Sequence, residues 1–393
     1  MTSLPPFLMT SELGSFARRT IVERKPIIID RILANSDFTP SICKALLQFK
    51  DELESGFITP LIEQTSDKEL WDADLQPWAG RSWLDIPWLL AETFFYRKVL
   101  EIVKYFQPGP WMGLDPYQRI KAVELSDSLP IFLENYKSQL NEGSFLNFQK
   151  NCTNALWGNR GDLSNFDVFD SDMSTQHEQI ILNNINPAFN FIRNNVENIA
   201  YFFDNIGKEL YFDLAFIDFL IQSKLTNSIT CYLKNQPFFV SDVMPKDLMS
   251  AVNHLKSSHS VNGESLGNRI TQLIHSRKIK LEAPPFFTTS RSFHWLPEVI
   301  QKQVGEYDLV ILKGDLNFRR LFGDCHWDPT TTVEYAGNYF PTSFLSLRTL
   351  KSELILGLSP GQISALNEHG EENWMVNGKR GMITFLQKPT KTT

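Results

Sequence analysis

The chain has 393 residues, 42% of them hydrophobic and 21% charged, enough apolar mass for two domains, or one large one with an appended bundle, and too little charge for global disorder. Its net charge of -7 and pI near 5.6 exclude a general attraction to nucleic acid or anionic lipid, so an anionic ligand would need a local basic cluster or a metal. The four cysteines, Cys43, Cys152, Cys231 and Cys325, form no CxxC pair, which points to free thiols in a reducing compartment rather than a disulfide framework or a thiolate zinc site.

The first segment, Met1 to Arg19, has no continuous apolar core after a basic start, and no stretch reaches the roughly 18 apolar residues of a membrane span. The expectation is a cytoplasmic protein with no membrane or nucleic-acid partner. From about residue 10 to 195 the sequence reads mainly as helices. Ser41 to Leu53 and Pro87 to Tyr105 repeat apolar residues every three or four positions, and Pro108-Gly109-Pro110 and Asn159-Arg160-Gly161 punctuate the region.

The texture changes near residue 198. Asn198 to Phe203 is a short apolar run ending in Asp204-Asn205, followed by a helical pattern from Gly207 to Gln222. Ser228 to Leu233 and Asp308 to Leu312 are two further runs, the second ending at Lys313-Gly314-Asp315. Short buried strands alternating with helices predict an α/β/α sandwich with a mainly parallel sheet. The chain thus divides into a helical N-terminal domain, 1–195, and an α/β domain, 196–393. Trp374 to Gln387 alternates and is expected to add one or two edge strands.

Ligands of such sheets sit beyond the carboxyl ends of the strands, which places Asp204, Asn205 and Asp315 at one rim, with Asp242 in reach from the loop after the second strand. Carboxylate and amide oxygens suit a hard cation such as Mg²⁺ or Mn²⁺. The helix start after Gly207 offers N–H groups to a phosphate. The same Asp-Asn pair also suits a helix cap, and capping and ligation are compatible. Lys313 to Arg320 brings Lys and two Arg to a strand end, either as a phosphate clamp or as a solvated start to a helix. Arg348-Thr349-Leu350-Lys351 offers two more cations, although such tetrapeptides are common on helix surfaces. Gly357-Leu358-Ser359-Pro360-Gly361 matches a GxSxG elbow only formally: Pro360 has no N–H for an oxyanion hole, and a Pro-Gly turn after a short strand fits better. Cys325-His326 reads as a structural pair rather than a zinc site.

Taken together, Asp204-Asn205 with Gly207 and Glu209, then Asp242, KGDLNFRRL (Lys313 to Leu321) and RTLK (Arg348 to Lys351) resemble the damage-control phosphatase family. The likeness is greatest to its RTxK branch, whose members are also called acidic residue methyltransferase-like proteins. Trp83 to Lys98 (WLDIPWLLAETFFYRK) is similar to that branch's helical region. The resemblance implies a divalent metal (Mn²⁺ or Mg²⁺, with Co²⁺ and Ni²⁺ also supporting the family) held by Asp204, Asn205 and Asp242, with Glu209 near the catalytic centre. Asp315, Asn317, Arg319 and Lys351 would contact a small phosphorylated metabolite. The implied activity is hydrolysis of phosphate monoesters of sugars, of the fructose 1-phosphate or fructose 6-phosphate class, or of damaged phosphometabolites. Two readings compete: a protein carboxyl methyltransferase, for which no glycine fingerprint is present, and a non-catalytic module with a structural cation.

Overall fold

The computed structural model describes residues 4–136, 143–158, 179–369 and 373–389. Its strands are β1 (Ile180–Asn183), β2 (Asn198–Phe202), β3 (Ser228–Tyr232), β4 (Ile279–Glu282), β5 (Leu309–Lys313), β6 (Ser343–Thr349) and β7 (Gly381–Leu386). They form one sheet in the order β1-β7-β6-β5-β2-β3-β4. The pairs from β6 through β5, β2 and β3 to β4 are all parallel, whereas β7 runs antiparallel to β6 and carries β1 beside it.

The central strands are continuous apolar runs because both faces are covered. In β2, Ile199 and Tyr201 enter one core while Ala200 and Phe202 enter the other, the alternation that a pleated strand imposes. Helices Phe145–Trp157, Lys208–Gln222, Pro245–Lys256 and Val261–His275 contribute to the first core. The buried helix Gly314–Phe322 contributes Phe318, Leu321 and Phe322 to the second. A third core, with Phe49, Trp71, Trp83, Phe94 and Phe95 at its centre, belongs to the helices of residues 16–117. The architecture is an α/β/α sandwich with a helical layer, as the strand pattern predicts.

The expected strands at 198–203, 228–233 and 308–312 appear within a residue or two. Trp374 to Gln387 differs: its one strand, β7, is interior, because β1 takes the edge. β1 lies on the N-terminal side of the 195/196 boundary, so the sheet draws on both halves of that division. No strand leads directly into Pro360 among the described residues; it opens the helix Pro360–His369 instead, a position where a missing N–H costs nothing. Asn159-Arg160-Gly161 lies outside the described residues. Among the described residues no helix is long and apolar enough to cross a membrane.

The chain runs β2, β3, β4 to one side, then returns to place β5 on the other side of β2. The carboxyl ends of β2 and β5 therefore flank the switch point, where open α/β sheets bind ligands. Truncating the fully buried Ile311 on β5 should test how far this centre governs stability. We expect Ile311→Ala to lose about 2–5 kcal/mol of unfolding free energy, measured by urea denaturation.

Candidate active site

Asp204 follows β2 directly, and its position is fixed by its neighbours. Its backbone carbonyl accepts from the N–H of Val243 at 2.9 Å, and the N–H of Ile206 donates to the carbonyl of Ser241 at 2.8 Å. An isolated bridge pairs Asn205 with Asp242. The loop after β3 thus returns beside the end of β2, which is how an aspartate 38 positions away in sequence reaches Asp204. On the other flank, Gly314 has φ +81°, and a Cβ there would lie 1.8 Å from Oδ2 of Asp204. Glycine is required at that point by conformation and by space.

Asp204 and Asp242 are both buried. Burial, then the nearby Glu209 and Asp242, push the Asp204 carboxyl well above the usual range. Burial also raises that of Asp242, against the pull of Lys234, whose Nζ lies 3.1 Å from Oδ2. Asn205 donates through Nδ2 to Asp204 (2.7 Å) and Glu209 (3.1 Å), while its Oδ1 accepts from Ser241 Oγ at 2.7 Å.

Crowded, dehydrated oxygens of this kind fit a hard cation. A half-turn of the Asn205 amide would bring Oδ1 beside the carboxylates, an arrangement that a bound cation favours. The set is two carboxylates and one amide; among the described residues no three His, Cys, Asp or Glu side chains cluster to hold a metal.

Glu209 does not line the cavity above these residues. It sits beneath, bound to Lys313 Nζ at 3.0 Å, which also donates to Asp213 at 2.7 Å. Asn317, expected on the substrate side, is also behind the site: Nδ2 donates to the carbonyls of Lys313 (2.8 Å) and Phe203 (3.2 Å). Its amide nitrogen ties the Gly314–Phe322 helix to the ends of β5 and β2, while Oδ1 is buried with no hydrogen-bond partner among the described residues.

Arg319 does reach the cavity wall, but its guanidinium is engaged. It binds Asp324 through Nε (2.7 Å) and Nη2 (2.9 Å) and Glu92 through Nη1 (2.5 Å), and it lies 3.4 Å above the Trp88 ring. It is therefore no free phosphate clamp. Burial opposes its charge, and Asp324 and Glu92 more than restore it. The Lys313 to Arg320 run is buried rather than a solvated helix start.

The RTLK tetrapeptide is not on a helix. Arg348 and Thr349 end β6, and Arg348 is fully buried. Its Nε holds Asp315 at 2.7 Å, while its terminal nitrogens bind the carbonyls of Leu354 and Ser352 and the Ser352 hydroxyl. Asp315 also accepts from the Lys351 N–H at 3.3 Å and from Ser352 Oγ at 3.1 Å. Arg348 and Asp315 thus shape the turn that presents Lys351. The Lys351 ammonium faces the cavity and has no carboxylate in ion-pair distance among the described residues.

The cavity encloses about 420 Å³ and unites Asp204, Asn205, Asp242, Asp315, Arg319 and Lys351. Its opposite wall comes from helical segments whose residues the sequence analysis gave no role at the site. Lys25, Trp88 and Glu92 line it, as do Lys121 and Glu124. Glu92 accepts from Lys25 Nζ at 2.8 Å. Burial works against the Glu92 charge, but Lys25 and Arg319 hold its carboxyl down to about 2. Burial lowers Lys25 to about 8 in spite of Glu92. One signal was available: Glu92 is a carboxylate within the apolar run Trp88 to Phe95, where a charge requires a buried partner.

Fold and site together define a class: a doubly wound α/β sandwich with an acidic, cation-bordered cavity at its switch point, roofed by helices. A family model described as the damage-control phosphatase ARMT1-like domain matches residues 20–366. The chain therefore belongs to the ARMT1-like damage-control phosphatase family. The relatives named damage-control phosphatase ARMT1 include one from Rattus norvegicus, 29% identical with 98% of this chain and 99% of the relative covered. The one from Homo sapiens is 28% identical with the same coverage. A crystal structure of a DUF89 family protein from Pyrococcus horikoshii aligns with a TM-score of 0.49 at 14% identity, covering 93% of this chain and 97% of that one.

The contact between Gly314 and Asp204 gives a direct check. Gly314→Ala forces an unfavourable backbone and a clash with the carboxylate, so we expect a loss of at least about 2 kcal/mol in urea unfolding. Gly361→Ala, whose new methyl would meet nothing within 4 Å, should stay within about 0.5 kcal/mol of the parent.

Proposed function

We propose that this protein is a metal-dependent phosphatase that hydrolyses phosphate monoesters of small metabolites, with fructose 1-phosphate and fructose 6-phosphate as the first substrates to test. The observation that carries the reading is the meeting of Asp204, Asn205 and Asp242 at the ends of adjacent strands β2 and β3, with Lys351 facing the same cavity from beyond β6. Family membership supports phosphatase chemistry. Asp204, Asn205 and Asp242 would hold Mn²⁺ or Mg²⁺, with Co²⁺ and Ni²⁺ as further candidates. Such a cation, when bound, supplies charge neutralisation of the phosphoryl oxygens and Lewis acidity.

The residues of the chain do the rest. Lys351 balances phosphoryl charge from a position set by Arg348 and Asp315, and such fixed charges favour a transition state in which charge spreads over the equatorial oxygens. Arg319, neutralised by Glu92 and Asp324, acts as a wall and orients the Trp88 ring. Glu209 orients Asn205 from below, and Lys313 keeps Glu209 in place. Water is the nucleophile in this reading. Asp204 is packed against Gly314 and its carbonyl is held by the Val243 N–H, without freedom to swing toward phosphorus.

The test is phosphate release from both fructose phosphates with Mn²⁺, Mg²⁺, Co²⁺ or Ni²⁺ and with a chelator, accompanied by melting curves. Metal should produce turnover and raise the melting temperature. Asp204→Asn should lose both, at least a hundredfold in rate, while keeping its far-UV circular dichroism. Turnover indifferent to chelation, or the lack of a melting shift with any of the four metals, would sink the metal-dependent reading.

A further inference from the structure

Six cationic side chains line the cavity: Arg24, Lys25, Arg31, Lys121, Arg319 and Lys351. Three of them are committed. Lys25 is bound to Glu92 at 2.8 Å, and Arg319 is shared between Glu92 and Asp324. Lys121 is bound to Asp247 at 2.7 Å and Asp115 at 3.3 Å, and donates to the Asp242 carbonyl. The other three have no carboxylate in ion-pair distance among the described residues. One is Lys351, at the rim of the sheet. The other two, Arg24 and Arg31, are exposed and stand on the helical roof.

Their arrangement follows from the helix Lys25–Ala34, which Arg24 precedes as N-cap. Positions 24, 27, 28 and 31 are three, four and seven apart and so share one face. All four line the cavity. Two helical turns separate the two arginines by about 10 Å along the axis, and Ile27 and Ile28 fill the interval with apolar surface. The Arg24 guanidinium lies 5.6 Å from the Phe16 ring centroid, a contact that leaves its hydrogen-bond donors available. Long arginine side chains two helical turns apart on one face can converge their guanidinium groups on a single anionic group. A guanidinium with no carboxylate partner on the wall of a cavity is well formed to bind a phosphate or carboxylate by its planar fork.

We propose that Arg24 and Arg31 form a second anion subsite, and that the preferred substrates carry two anionic groups. The class is sugar bisphosphates or phosphorylated sugar acids, cleaved at the phosphoryl group on the sheet side and anchored by the other group on the roof. The proposal rests on the phosphatase reading for its chemistry. Its geometry is independent, because the arginines belong to the helical layer and touch none of the residues assigned to the metal.

The experiment compares fructose 1,6-bisphosphate and 6-phosphogluconate with fructose 6-phosphate, on the full chain with Mn²⁺. The ratio of kcat/KM for each doubly anionic substrate to that of fructose 6-phosphate is the readout. We expect a ratio of at least about ten at low salt that shrinks as ionic strength rises, and that falls toward one in the Arg24→Gln/Arg31→Gln double variant. A parent ratio near one overturns the proposal, and so does a double variant that slows every substrate equally and leaves the ratio unchanged. If no phosphomonoester turns over with any metal, the phosphatase reading fails, and the subsite is then judged by binding. Isothermal titration calorimetry should give tighter binding of fructose 1,6-bisphosphate than of fructose 6-phosphate in the parent but not in the double variant. Equal affinities, or no binding of either, overturn it.

Discussion

The site depends first on the close approach of Asp204 to Gly314. Parallel pairing of β2 with β5 brings two strand ends side by side, and an absent side chain at Gly314 makes room for the carboxylate. Hydrogen bonds between the Asp204–Ile206 and Ser241–Val243 segments then fasten the loop after β3 on the other side. With both flanks fixed, Asp204 and Asp242 have little conformational freedom left to lose when a ligand arrives. Preorganisation of this kind is where a catalytic or binding site gains most.

A second layer of order comes from charge. Lys25, Glu92, Arg319 and Asp324 form a buried chain of alternating sign that runs from the helical layer to the sandwich. The desolvation penalty of such a chain is large, and its net contribution to stability is small compared with the cost of breaking it. Its effect is specificity of placement. Arg319 is tied to the helical layer by Glu92 and to its own helix's end by Asp324, so the cavity wall and the roof keep one relation. Arg348 and Asp315 do the same for the turn that carries Lys351.

Much of this was legible in the residues. Asp204-Asn205 follows an apolar run too short for a helix and precedes a glycine, so its place at a strand end could be read directly. The strand runs at 198–203, 228–233 and 308–312 are continuous and apolar because the sheet is covered twice. Other features were hidden because their cause is distant in sequence. Ser343 to Thr349 mixes serine with apolar residues, and nothing local marks it as a central strand, so the cations of RTLK read as a surface pair. Asp315, 33 positions earlier, and the carbonyls of Ser352 and Leu354 hold Arg348 in the interior, and no side-chain bond of that kind holds Lys351 among the described residues. Arg319 looked like a phosphate ligand for the same reason, since its partners include Glu92, 227 positions away. The Asn317 amide nitrogen meets backbone carbonyls that a sequence pattern does not reveal.

The buried chain of alternating charge also constrains traffic through the cavity. Lifting the helical roof away from the sheet would break the Arg319–Glu92 pair, leaving Glu92 with Lys25 alone and Arg319 with Asp324 alone, at a cost of several kcal/mol. Wholesale opening of the two layers would therefore be a rare event. Ligands instead pass the rim, where the gatekeepers are long, exposed side chains such as Arg24 and Arg31. Such side chains change rotamer in picoseconds to nanoseconds, whereas hinged domains take microseconds to milliseconds. Exchange with solvent would then be set by side-chain motion at the rim rather than by a clamshell.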